Sequence, residues 1–460
     1  MQAKLSPTML ESAVSYYHEL LENHDILERS RQMFDDGLES SKLSFGGRRL
    51  TPYLRPHFVT ENDWSRVTSI CELVFSALQK VKDAAVVNEA LLDELGITEI
   101  ERELVAIDPG YDQVSPTARL DSFLTSDAYS FVELNGESPA GIAYADSATE
   151  IFRTLPVMQQ FTEKYSIRGF DGRPKMLDVL LTCYAEFTGG AALDRAPSIA
   201  IVDLPDLPTR AEFELFQDYF EYRGHDSVIA TPQELEYDGD YLSFKGLKID
   251  IVYKRLLVNE YLPIMSEYPA LFHAYRDGAV CVVNSFQSKL IHKKAVFSIL
   301  TDERYQQLFT SDELAAISNH VPWTRNFRER STEYKTEAID LVSWSRSNRH
   351  KLVLKPNDDY GGHGIYIGWN GSEADWDDAI TNALDNGDYL IQERVQTAKE
   401  KFPMLFGYEG DVQMIEQLVD LDPLLFNGIV GQAFTRLSTS ELANVTAGGG
   451  MVPTFIISEK

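Results

Sequence analysis

Cysteine is scarce. Three in 460 residues, Cys71, Cys183 and Cys281, form no CxxC pair, which excludes a disulfide framework or zinc knuckle and suits a reducing compartment. Long apolar runs are missing as well: no stretch reaches about 18 apolar residues, so no membrane-spanning helix is expected. The first residues, MQAKLSPTMLESAVSYYHELL, are charged and amphipathic instead of basic and then apolar. That pattern argues against a secretion leader and for the cytoplasm. Positive charge is in short supply: 42 Lys and Arg against 71 Asp and Glu leave a net charge of −29. A field of that sign repels phosphate backbones and anionic lipid, which speaks against nucleic-acid and membrane partners. There is no internal repeat or low-complexity tract, and 44% hydrophobic residues make a globular composition. A chain of this length is expected to form two or three domains of roughly 100 to 200 residues.

What is present falls into three regions. Residues 1–115 read as helices, with periodic stretches over 8–34, 61–82 and 89–107. Residues 116–280 open with two alternating runs, ARLDSFLTS and AYSFVELN, which predict a hairpin. A helix over 141–161 is expected next, followed by a small open α/β sheet from SIAIVDL to IDIVYKR. Residues 281–460 hold KLVLKP, IYIGW, YLIQERV and NGIVGQAFTRLS as strands. They also hold a helix begun by Ser372 and Asp375, whose core face is Trp376, Ile380, Ala383 and Leu384.

Two segments carry chemistry. In KLVLKPNDDYGGHGIYIG, a strand ends in Lys355 and leads into glycines at 361, 362 and 364, whose free N–H groups can cradle phosphate oxygens beside the lysine. No helix follows directly, so this is neither a Walker loop nor a dinucleotide fingerprint, and a plain glycine-rich hairpin stays open. In FVELNGESPAG, Glu133 and Asn135 stand two apart on a strand and share a face, suited to one hard cation or to a solvent-facing edge. His363 reads as a loop residue in preference to an acid or base, and Asp420 and Asp422 in VDLDP as a turn after a strand in preference to a ribose or metal contact. Nothing forms a Ser-His-Asp or Cys-His arrangement.

Together with KLIHKKAVFSIL, where Lys293 and Lys294 begin an otherwise apolar helix, the order of motifs resembles the ATP-grasp ligases. The resemblance is to the circularly permuted group of eukaryotic-type glutathione synthetases and glutathionylspermidine synthetases. It rests on Arg119-Leu-Asp121, Glu133-Leu-Asn135, Lys294-Ala, Lys355-Pro through Asp359-Tyr-Gly-Gly, Arg436 and Gly448-Gly449-Gly450, over about residues 115–460. It implies an α/β multidomain fold: a helical region (1–115), a substrate-side hairpin and small α/β domain (116–280), and an ATP-grasp domain (281–460). It further implies that Lys294, Lys355, Gly361 and Gly362 hold ATP phosphates. Glu133, Asn135 and Asp359 would hold two magnesium ions, Asp359 standing where the family often has Glu. Gln392, Glu393 and Val395 would lie beside the adenine. Arg119 and Arg436, with Arg255 as a weaker candidate, would face a substrate carboxylate. The implied reaction joins a carboxylate to an amine through an acyl phosphate. A phosphotransferase using the same ATP site, and a nucleotide-binding regulatory or scaffold protein, are the alternatives.

Overall fold

The computed structural model describes residues 8–45, 48–191, 195–359, 361–406, 412–440 and 449–460. Tyr360 and Gly448, which belong to two of the motifs above, lie outside the described residues.

The first periodic stretch forms two helices, Met9–Glu22 and His24–Ser40, because the chain turns at Asn23, whose side chain accepts from the N–H groups of Asp25 and Ile26. A longer helix, Glu61–Val86, is capped by Thr60 and buries Val67, Cys71, Val74, Leu78 and Val81 at spacings of three and four. That face shares one core with Ala118, Leu120, Phe131 and Leu134 of the hairpin and with Phe297 and Leu300. Each such side chain contributes about 1.5–3 kcal/mol of burial, enough to outweigh the modest helix propensity of valine. The helical region thus backs the strands that carry the candidate site.

The hairpin forms from Thr117–Leu124 and Tyr129–Asn135, with Arg119 opposite Asn135 and Asp121 opposite Glu133. It also completes an antiparallel six-stranded sheet with Val412–Phe426, Ile429–Ser438 and Gly450–Val452, while Ala398–Leu405 pairs with the first half of the long strand. This sheet spans the division expected at residue 280. Asp420 and Asp422 are corrected here: they lie within the long strand and not in a turn. The turn signal of VDLDP is overridden because that strand is paired on both sides, to the Arg436 strand and to the Arg119 strand.

Two helix expectations also change. The helix over 141–161 is interrupted at Leu155, which is extended before Pro156, since proline disfavours helical backbone in the residue ahead of it. Lys293 is extended between the short helices Lys289–His292 and Ala295–Thr301, so Lys294 stands at the N-cap of the second.

The small α/β region is a parallel sheet in the order Cys281–Val283, Ile251–Lys254, Ile199–Val202, Ser227–Ala230. The lysine strand, Leu352–Pro356, lies between Tyr389–Glu393 and Tyr366–Ile367 in an antiparallel sheet. Trp376, Ile380 and Ala383 of helix Glu373–Asn386 pack on its Leu352, Leu354 and Ile391, the core face read from the sequence. All three cysteines are buried free thiols. Among the described residues no helix is long and apolar enough to cross a membrane.

Candidate active site

Neighbouring strands of the six-stranded sheet carry alternating charges on one face. Arg119 Nε donates to Asp121 Oδ1 at 2.8 Å and its Nη1 to the Ala140 carbonyl at 2.9 Å. Arg436 Nη2 donates to Asp121 Oδ2 at 2.6 Å and to Asp420, and its Nε lies 2.9 Å from Asp422 Oδ2. Asn135 Nδ2 donates to Asp121 Oδ1 at 2.9 Å, which leaves the amide oxygen as the group Asn135 can offer a cation. Arg119, Asp121, Asp420 and Asp422 are buried, and Arg436 is mostly so. Burial alone would raise the Asp121 carboxyl, but Arg119 and Arg436 outweigh it and hold it down at about 2. Burial instead pushes Asp420 up, and Asp422 well up, despite Arg436. Three carboxylates against two guanidiniums leave one charge too many, and a proton on the aspartate pair relieves it.

Facing this floor is the lysine strand. Lys355 Nζ donates to Gln392 Oε1 at 2.7 Å and to the Val132 carbonyl at 3.2 Å. Burial lowers its ammonium to about 8, against the pull of Glu133. Lys294 reaches the same place from the helix side: its Nζ lies 3.3 Å from Glu133 Oε1 and donates to the Asp359 carbonyl. Gly361 and Gly362 have φ of +73° and +78°, the left-handed backbone that a side chain resists, so this loop requires glycine at both positions.

Two cavities meet over the floor. The smaller, of about 190 Å³, is lined by Arg119, Glu133, Lys355, Gly361, Gln392 and Arg436, among others, and so lies between the two sheets. Asn135, Gly362, Glu393 and Val395 also line it. The larger, of about 400 Å³, continues from it past Arg119, Asn135, Gly361 and Arg436 and reaches Arg255, His363 and Asp203. Every site residue read from the sequence borders this space except Lys294, which contacts Glu133 from behind, and Asp359, whose carbonyl accepts from Lys294. The polar side chains of strand Tyr389–Glu393 are engaged by protein groups: Gln392 Nε2 donates to Thr324 Oγ1 at 3.1 Å, and Glu393 accepts from Tyr334 at 2.6 Å and Lys335 at 3.0 Å.

No protein-family model matches the chain, and no curated protein matches it in sequence. Solved structures do. A glutathione synthetase-like effector from Globodera pallida superposes with a TM-score of 0.59 at 14% identity, over 94% of this chain and 97% of that one. This is an ATP-grasp fold. Slighter overlaps are found with D-alanyl-alanine synthetase A from Vibrio cholerae and with a RimK domain ATP-grasp protein from Sphaerobacter thermophilus. The first covers 50% of this chain and 68% of that one, with 11% identity and TM-score 0.27. The second covers 57% and 91%, with 14% identity and TM-score 0.26. In this chain's version of the ATP-grasp fold, the smaller cavity is the gap between the lysine strand's sheet and the hairpin's sheet.

Trp369 and Arg394 are not singled out by the sequence, and Asp420 and Asp422 read there as a turn in preference to a ribose or metal contact. Asp420 and Asp422 join Asp121 as a buried acidic group whose ligand atoms lie within 4.8 Å of one another, and Asp420 Oδ1 has no hydrogen-bond partner. Arg394 stacks on Trp369 at 4.0 Å at the border of the smaller cavity. Same-face spacing on a strand, in place of the turn reading, would have put the aspartates at the site. Nothing local could have paired Trp369 with Arg394.

Proposed function

We propose that the chain is an ATP- and magnesium-dependent ligase that joins a carboxylate to an amine through an acyl phosphate. The observation that carries the reading is the meeting of two cavities at Arg119, Asn135, Gly361 and Arg436. A nucleotide in the smaller one would direct its terminal phosphate toward a substrate in the larger. Bringing two anions together there requires fixed positive charge, and Lys294, Lys355, Arg119 and Arg436 supply it. The glycine backbone at 361 and 362 suits phosphate oxygens, and the strand Tyr389–Glu393 suits an adenine through its main chain, since the side chains of Gln392 and Glu393 are otherwise engaged.

The donor chemistry of Glu133 and Asn135 fits magnesium, which prefers oxygen ligands and keeps several waters and phosphate oxygens. Both residues line the smaller cavity, and Asp359 is tied to Glu133 through Lys294. Bound magnesium would neutralise the phosphates as charge shifts in transfer. Arg119 and Arg436 are oriented by Asp121, so they reach the junction preorganised and a carboxylate meets them without reordering their side chains. The order of these segments along the chain resembles that of the circularly permuted group.

The larger cavity is cationic at the junction and acidic toward Asp203 and Glu260, so a substrate carrying both carboxylate and ammonium suits it. A test pairs the twenty standard amino acids with one another and with spermidine, scoring ADP release and then product mass. ADP, phosphate and an amide product are expected from at least one pair. A stable phosphorylated product without an amide would overturn the ligase reading in favour of phosphotransfer, and absence of MgATP binding by calorimetry would overturn both. Glu133→Gln is expected to keep most ATP affinity and to lose on the order of a hundredfold in turnover.

A further inference from the structure

The larger cavity has two leucines in its wall that the fold itself does not use. Leu207 and Leu257 line it, are half-buried, and pack into none of the apolar cores of the described residues. Leu50 and Phe434 border the same space but belong to a core, whose edge they present there. Gly141 keeps room for the Phe434 ring: a Cβ on it would lie 2.6 Å from Cδ2, and its φ of +106° also favours glycine. None of these four apolar residues lines the smaller cavity, so the apolar wall belongs to the substrate side.

Topology brings the two leucines together. In the parallel sheet, strand Ile199–Val202 leads on to its neighbour Ser227–Ala230 on one side, and strand Ile251–Lys254 to Cys281–Val283 on the other. The two central strands run side by side with Val202 opposite Lys254, so the connections part at their carboxyl ends and open a crevice between them. Open α/β sheets bind ligands in such a crevice. Asp203 and Leu207 follow the first strand, Arg255 and Leu257 the second, and all four line the cavity. Apolar surface left facing this space gains free energy when a ligand's apolar surface covers it.

We propose that the substrate whose carboxylate is activated carries an aliphatic or aromatic side chain, and that Leu207 and Leu257 select it. This rests on the ligase reading above. With the carboxylate held at Arg119 and Arg436, the rest of an amino acid extends into the larger cavity, where Asp203 and Glu260 suit its ammonium and the two leucines its side chain. A charged side chain placed against them would lose hydration and gain no hydrogen bond from either.

The test reads the carboxylate alone, by trapping the acyl phosphate with hydroxylamine and scoring hydroxamate. The panel is the twenty standard amino acids and the alanyl dipeptides that end in each of them. Leucine, isoleucine, valine, methionine and phenylalanine, free or at the dipeptide C-terminus, are expected to show kcat/KM at least tenfold above glycine, serine, aspartate and lysine. Leu207→Ala and Leu257→Ala should raise KM for the best of these about tenfold with kcat nearly unchanged, the mark of uniform binding lost. Calorimetric MgATP affinity should stay at the wild-type value and shows that the variants fold. Leu207→Glu should move the preference toward lysine and arginine. A wild-type preference for polar or charged side chains overturns the assignment and leaves the ligase reading standing, and this ranking decides by itself should a variant not fold. Ala variants that slow every carboxylate equally, or that keep the wild-type ranking and KM, overturn it as well. Wild-type protein that yields no hydroxamate from any carboxylate also overturns it and, if the pairwise amide screen is empty too, the ligase reading with it.

Discussion

Two buried ionic networks lie close together and differ in kind. In one, Arg119 and Arg436 meet Asp121, Asp420 and Asp422, two guanidiniums against three carboxylates, along the border of both cavities. In the other, Lys254, Lys289 and Lys293 meet Glu101, Glu137 and Asp358, three against three. The lysine network is matched in charge and ties distant segments together. Glu101 belongs to the helical region, Glu137 follows the hairpin, Lys254 ends a strand of the parallel sheet and Asp358 opens the glycine loop. Lys293 Nζ also donates to the Gly96 carbonyl at 2.6 Å. The arginine network is unmatched and opens onto space. A balanced network in a low-dielectric interior holds segments in place because removing any member strands a charge. An unbalanced one beside a cavity can take up a proton or a ligand's charge, which is what chemistry requires.

The sharpest way to break this contrast is Lys289→Met. It leaves Glu137 and Asp358 short of a counter-charge in the interior, and a loss of about 3–5 kcal/mol in urea unfolding is expected. Arg436→Ala should act on rate instead. The aspartates it faces can protonate, so the fold persists, while carboxylate-dependent ADP release falls about a hundredfold and calorimetric ATP affinity stays nearly intact. If Arg436→Ala weakens ATP as much as it weakens turnover, the guanidinium belongs to the nucleotide.

Lys355→Ala is expected to weaken MgATP binding about ten- to hundredfold, the worth of a charged hydrogen bond, with little change in melting temperature. Because burial lowers this ammonium to about 8, it is charged below that pH and neutral above it. ATP affinity measured by calorimetry should therefore decline as pH rises through about 8, and the decline should vanish in the Ala variant. The smallest effect is expected far from both networks. Ser372→Ala removes the capping box with Asp375 and should cost about 1 kcal/mol in thermal unfolding without altering ATP affinity.

Local pattern made part of the site legible. Period-two alternation marks the Glu133 strand and sets Glu133 and Asn135 on one face, and Lys355 with two glycines that adopt positive φ marks the loop. The misreadings have one cause. Asp-Leu-Asp-Pro is turn chemistry when read alone, and only the strands on either side, with Arg436 reaching across, make it a buried strand. Leu155 and Lys293 broke expected helices through backbone preference and packing that periodicity does not register.

By itself the sequence determined what depends on neighbours in the chain: the alternation of the hairpin, the capping of its helices and the glycine turn. Tertiary structure decided which buried charges meet. Lys289 and Asp358 are 69 residues apart, and Arg436 and Asp121 are 315 apart. A charge buried without its partner is excluded by its desolvation cost, so which carboxylate is ionised and which lysine is poised near neutrality both follow from the packing.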